Sequence, residues 1–150
     1  MGLDIHGWIE ITHASEGDAQ DDAMWMGVTR LEPLVDVPDA FSEAVFGFSK
    51  RAVATPADFH PLASGRGIPT ACSAQVRDDI AILRDHERRH GPGEFGGFTF
   101  VSYAELLEVN WDSMGVRPHQ SEWRTVFRVL EALGSRFDHD KIRLVVWWDW

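Results

Sequence analysis

Three groups of residues have the types and spacing that chemistry needs. The most specific is His86-Glu87-Arg88-Arg89-His90. It fits the H-E-x-x-H pattern, in which two imidazoles one helical turn apart hold zinc and the Glu acts on a metal-bound water. A third ligand is needed, and Glu108, on the next helical segment, is the candidate. Glu87 would then polarise the water and carry its proton, making a zinc-dependent hydrolase or peptidase. The second group is Asp4, His6, Glu10 and Asp149. An Asp and a His two residues apart share one face of a strand and can share a ligand or a proton, which would suit a small enzyme. The third group is aromatic. Trp147, Trp148 and Trp150 cluster at the end of the sequence, and Trp8 lies across from them if the terminal strands pair. With Asp4, His6 and Asp149 they would form an aromatic face ringed by acid, the composition of a protein-binding surface.

Each group has a plainer alternative. The segment Glu108-Val109-Asn110-Trp111-Asp112 resembles the Glu-x-x-x-Asp partner of thermolysin-like peptidases, where the Asp orients a ligating His. The metzincin pattern fits less well: Gly93 matches its glycine, but Gly96 stands where its third His belongs. Arg88 and Arg89 put two cations beside the intended dication, and Gly91-Pro92 stops the helix right after His90. A solvated, charged helix end, with His90 near the C-terminal dipole, accounts for the same residues. No metal or other cofactor is therefore favoured, with zinc the alternative. The Asp4/His6 face reads equally as a polar sheet surface, and a second helix layer or a dimer would cover the tryptophans. In Gly65-Arg66-Gly67, backbone N–H groups and the Arg66 guanidinium could meet an anion, although the glycines also simply turn a loop. There is no G-x-S-x-G and no Walker or dinucleotide glycine pattern.

Composition narrows the partners. The 150 residues carry 24 acidic and 14 basic side chains, for a net charge of −10. Such a surface repels phosphate, which argues against nucleic acid and leaves a basic protein partner the better match. No apolar run reaches membrane-spanning length, and the N-terminus has neither a basic region nor an apolar core, so a cytoplasmic location is expected. The single cysteine, Cys72, reads as a small buried apolar residue.

The elements that would position these groups follow from periodicity. Residues 3–12 alternate as a half-buried strand, and Ile142 to Trp148 is apolar on both faces, as in a central strand. Residues 13–23 read as an exposed acidic loop, residues 24–28 as a second strand, and residues 54–70 as one long ordered loop. Asp39 should cap a short helix carrying Phe41, Ala44 and Val45 and stopped by Gly47, and Ser73 one that runs to about residue 90. Gly93, Gly96 and Gly97 suggest a flexible turn before a short strand at residues 98–101. Ser102-Tyr103-Ala104-Glu105 is a capping box opening a helix to about Trp111. The strongest amphipathic stripe runs from Trp123 to Phe137. The expected architecture is a single α+β domain over residues 1–150: a mainly antiparallel sheet holding both terminal strands, with helices packed on one face.

One wider resemblance exists. Met1-Gly2-Leu3-Asp4-Ile5-His6-Gly7-Trp8 is similar to the start of small uncharacterised proteins of phages, prophages and their bacterial hosts. Gly65-Arg66-Gly67-Ile68-Pro69, Tyr103-Ala104-Glu105-Leu106-Leu107 and Arg143-Leu144-Val145-Val146-Trp147-Trp148-Asp149 fit the same likeness, in patches over most of the chain. It carries no chemistry and no catalytic residue. It implies only a phage-linked accessory setting in the host cytoplasm. The acidic charge, the aromatic ends and the absence of a clean catalytic set are what point to a protein without catalysis of its own that binds a protein partner, blocking a host or defence function.

Overall fold

A computed structural model describes residues 2–13, 24–35, 37–48 and 60–150. Four strands, β1 (Asp4–Thr12), β2 (Trp25–Arg30), β3 (Phe95–Ser102) and β4 (Ile142–Asp149), form one antiparallel sheet in the order β2-β1-β4-β3. The two terminal strands are its centre, as the alternation of β1 and the two-sided apolar character of β4 require. Their register runs from Asp4 opposite Asp149 to Ile11 opposite Ile142. The strands approach closely at Gly7. Its φ is 148°, and a Cβ there would meet the Val145 carbonyl oxygen at 2.0 Å, so glycine is the residue that fits.

Five α-helices lie among the described residues: α1 (Ala40–Phe46), α2 (Ala74–His90), α3 (Tyr103–Leu107), α4 (Trp111–Met114) and α5 (Arg124–Gly134). The expected caps form. Asp39 accepts from the N–H groups of Phe41 and Ser42, Ser73 from Val76, and Ser102 from Glu105, whose carboxylate returns to the Ser102 N–H. One sheet face carries Ile5, Ile9, Leu144, Val146 and Val101, and the apolar sides of α1, α3 and α5 close on it. Phe41 lies at this core's centre, 5.0 Å from the Trp123 ring and 5.2 Å from Phe127.

Three details depart from the sequence expectations. The helices are not confined to one face: α2 lays Val76 and Ile80 on the opposite side, against Val145, Trp147 and Trp8, forming a smaller second core that includes Cys72. The helix opened by Ser102 ends at Leu107, because the Asn110 side chain accepts from the Ser113 N–H and caps a separate turn, α4. Gly96 and Gly97 are part of β3, with the register shift between Gly96 and Thr99. The Trp148 ring occupies the space beside them: a Cβ on Gly96 or Gly97 would lie 2.5 or 2.3 Å from it. The expected acidic loop lies outside the described residues over 14–23, and so does the part of the long loop over 54–59. No helix among the described residues is long and apolar enough to cross a membrane.

Candidate functional site

The second sheet face, the one under α2, carries Asp4, His6, Trp8 and Glu10 on β1 and Arg143, Val145, Trp147 and Asp149 on β4. At its Asp4 end the chain builds a small cavity of about 190 Å³. His6 is its hub. Its Nδ1 lies 2.9 Å from Glu32 Oε1, and its Nε2 lies 3.1 Å from Asp149 Oδ1. The second contact has ion-pair distance but misses the hydrogen-bond direction, so Nε2 lacks a hydrogen-bond partner among the described residues, as does buried Glu32 Oε2. The hydrogen bond to Glu32 raises the imidazole pKa, burial opposes it, and Asp149 adds to it; the net effect pushes His6 up to about 9. At neutral pH the ring is an imidazolium between two carboxylates.

Glu32 reaches this position through the turn after β2. Leu31 is fully buried, its N–H donates to the Gly7 carbonyl, and its own carbonyl accepts from Leu34 and Val35. The next wall comes from β2 and α2. Arg30 grips Asp79 through both terminal nitrogens, at 2.7 and 3.0 Å, and its guanidinium lies 4.6 Å from the Trp8 ring centroid. The Trp8 indole N–H donates to the same Asp79 at 2.8 Å. Ile82, Leu83, Phe95 and Trp147 supply the apolar lining. Ile82 is 67% exposed at the rim.

The structure thus unites His6 and Asp149, with Asp4 opposite Asp149 in register, and adds Glu32, Arg30, Asp79 and Ile82 to them. The sequence carried little sign of these four. Glu32 sits in a segment without periodicity, and Asp79 lies within the apolar side of α2. Ile82 does stand beside the Val76–Ile80–Leu83 stripe rather than on it, and that displacement was a usable signal.

The remaining candidates are placed differently. Trp147 is 3% exposed and Trp8 packs in the second core, because α2 covers the face that was expected to display them. Trp148 packs on the main core, and only Trp150 of that group is widely exposed, its ring 6.0 Å from Trp148. Arg66 holds Glu105 and also donates to the Phe100 and Leu62 carbonyls, which fastens the loop to β3 and commits the guanidinium that an anion would use. Glu10, at the closed end of the second face, is fully buried and takes Arg143 Nε at 2.8 Å and the Ser73 N–H at 2.6 Å. Cys72 is buried beside this pair, and burial pushes its thiol up, so it stays protonated.

His86 and His90 stack at 4.4 Å near the end of α2, and His86 Nε2 meets Glu94 at 2.6 Å. Asp85 pairs with Arg88 and Arg89, as a charged helix end would. Glu87 lines a shallow surface hollow with Arg84 and Arg88. Glu108 does not join the histidines: it is exposed beyond the far end of β3, about 20 Å along the strand at ~3.3 Å per residue. Among the described residues no three His, Cys, Asp or Glu side chains converge as a metal-binding group. Compared with protein-family models, curated proteins and solved structures, the chain matches none.

Proposed function

We propose that this protein acts by binding a protein partner at the open end of its second sheet face, as a small phage-type accessory protein without catalysis of its own. The observation that carries the reading is the His6 cavity: an acidic, incompletely hydrogen-bonded pocket beside an exposed aliphatic residue, on a chain of net charge −10. Its size weighs against a cofactor or extended substrate, since small-molecule sites usually measure roughly 300–1,000 Å³, whereas this cavity holds about 190 Å³. The volume suits a single side chain. His6 also weighs against acid–base catalysis, because an imidazole protonated up to about pH 9 makes a poor base near neutrality. A basic partner matches the acidic rim, and occupying such a surface on a host or defence protein would block it.

The test is quantitative capture from bacterial lysate with the wild-type chain and the Glu32→Gln/Asp149→Asn double variant. The reading expects a stoichiometric partner held by the wild type and released at raised salt, with retention at least tenfold weaker for the variant, as loss of charge-assisted contacts implies. Equal capture by the two proteins, or no stoichiometric partner from two different hosts, would count against it.

A further inference from the structure

Resting on that reading, we infer that the His6 pocket receives one lysine or arginine side chain of the partner, its ammonium or guanidinium group between Glu32 and Asp149 and its methylene stem against Ile82. The argument starts from which acids still have acceptor capacity. Asp79 is occupied by three donors, two from Arg30 and one from the Trp8 indole. Glu32 is different. Its Oε1 takes His6, while its Oε2 is buried and lacks a hydrogen-bond partner among the described residues. That oxygen is closed to solvent, so a guest meets Glu32 through the rest of its side chain, which is 30% exposed at the cavity. Asp149, 29% exposed, touches His6 only off the hydrogen-bond direction.

The charges agree with this assignment. Asp4, Glu32, Asp79 and Asp149 face His6 and Arg30, which leaves two negative charges uncompensated at this end of the sheet. An anionic guest would meet Glu32 and Asp149 directly, with His6 Nε2 closed off behind Asp149. A neutral amide or hydroxyl would leave the charge as it is. Lysine and arginine are the side chains that bring several donors and no acceptor. They also bring an aliphatic stem, which the rim of Ile82, Leu83 and Phe95 would cover while the charged head reaches the carboxylates.

The experiment follows the Ile82 methyl and the Trp147 indole N–H by NMR. The probes are four pentapeptides that differ only at the central residue: lysine, arginine, norleucine or glutamate. The lysine or arginine peptide should shift both signals saturably and in a salt-sensitive way. The norleucine peptide should bind about tenfold more weakly, the scale of one charge-assisted hydrogen bond, and the glutamate peptide should leave both signals unmoved. Glu32→Gln should remove most of the preference for a cation. Asp149→Asn provides a second variant, and dispersed indole signals verify that each is folded. Equal binding of norleucine would reduce the pocket to an apolar groove, preferred binding of glutamate would make it an anion site, and no shift by any peptide at millimolar concentration would leave it a water-filled hollow. Each of these overturns the inference. If the peptides fail while lysate capture remains sensitive to Glu32 and Asp149, the inference falls and the binding reading stands. If the lysine peptide binds while no stoichiometric partner is captured, the binding reading falls and the pocket's preference stands.

Discussion

The second sheet face holds two charged clusters built from the same chemistry, and they differ in how completely they are satisfied. At the closed end, Glu10 is fully buried and Arg143 is 7% exposed. Glu10 accepts from Arg143 and from the Ser73 N–H; Arg143 donates to the Ala71 carbonyl, and its guanidinium lies 3.5 Å from the Trp25 ring centroid. Burial lowers the Arg143 pKa and Glu10 opposes that, which leaves a cation locked to its partner. At the open end, Glu32, His6 and Asp149 are each roughly one-quarter to one-third exposed, and two of their buried polar atoms lack hydrogen-bond partners among the described residues. A saturated cluster ties loop to sheet. An unsaturated one keeps capacity for something else. Carboxylates and cations alone therefore do not mark a site; their unspent hydrogen bonds do.

Substitutions should separate the two ends, and the largest effect belongs to the closed one. Arg143→Met strands the buried Glu10 charge and should destabilise by about 3–5 kcal/mol in urea unfolding. Glu10→Met combined with Arg143→Met should be milder, since no charge is then left alone. A loss below about 1 kcal/mol for the single variant would remove the contrast between the clusters.

His6 should show its role through pH. Its folded-state value of about 9 lies above the free value of 6.5, so the folded protein keeps a proton that the unfolded chain releases. Its stabilisation is complete below about pH 6.5 and is lost as pH rises through about 9, by about 3 kcal/mol in all. Wild-type stability should fall across that interval, and His6→Gln should flatten the fall. An unchanged slope in the variant would mean that His6 is not the group responsible. Ser102→Ala, opposite Arg143 in register, removes a cap and should cost about 1 kcal/mol, read from the denaturation midpoint. The smallest effect belongs to His86→Ala, which loses an ion pair between half-exposed side chains and ring contacts with His90 and Phe95 at the surface. It should change stability by less than about 0.5 kcal/mol, with or without added zinc. A zinc-dependent rise in the wild-type melting temperature that this variant abolishes would restore the metal reading of α2.

Much of the frame was legible because burial imposes period. The alternation of β1 and the apolar run of β4 placed both strands centrally and paired them, and Asp39, Ser73 and Ser102 marked helix starts through the orphan N–H groups they satisfy. The site was legible only in part. Asp4, His6 and Asp149 follow from strand pairing, but Glu32 arrives on an irregular turn whose path is set by Leu31 and Gly7. The aromatic face was misread for a related reason. Alternation shows that Trp8 and Trp147 leave the main core, but it cannot tell whether a helix of the same chain or a partner covers them. The glycines before Thr99 look like turn residues until Trp148 is seen filling their side-chain space.

The central claim, that the open end is where a partner binds, is tested most directly by position-resolved photo-crosslinking. A photoreactive phenylalanine analogue replaces Ile82 at the pocket rim in one protein and Leu107, exposed on α3, in another. The account predicts one covalent partner from position 82, lost when Glu32→Gln and Asp149→Asn are added, and none from position 107. A crosslink at position 107 alone, or one at position 82 that survives the double substitution, would contradict it.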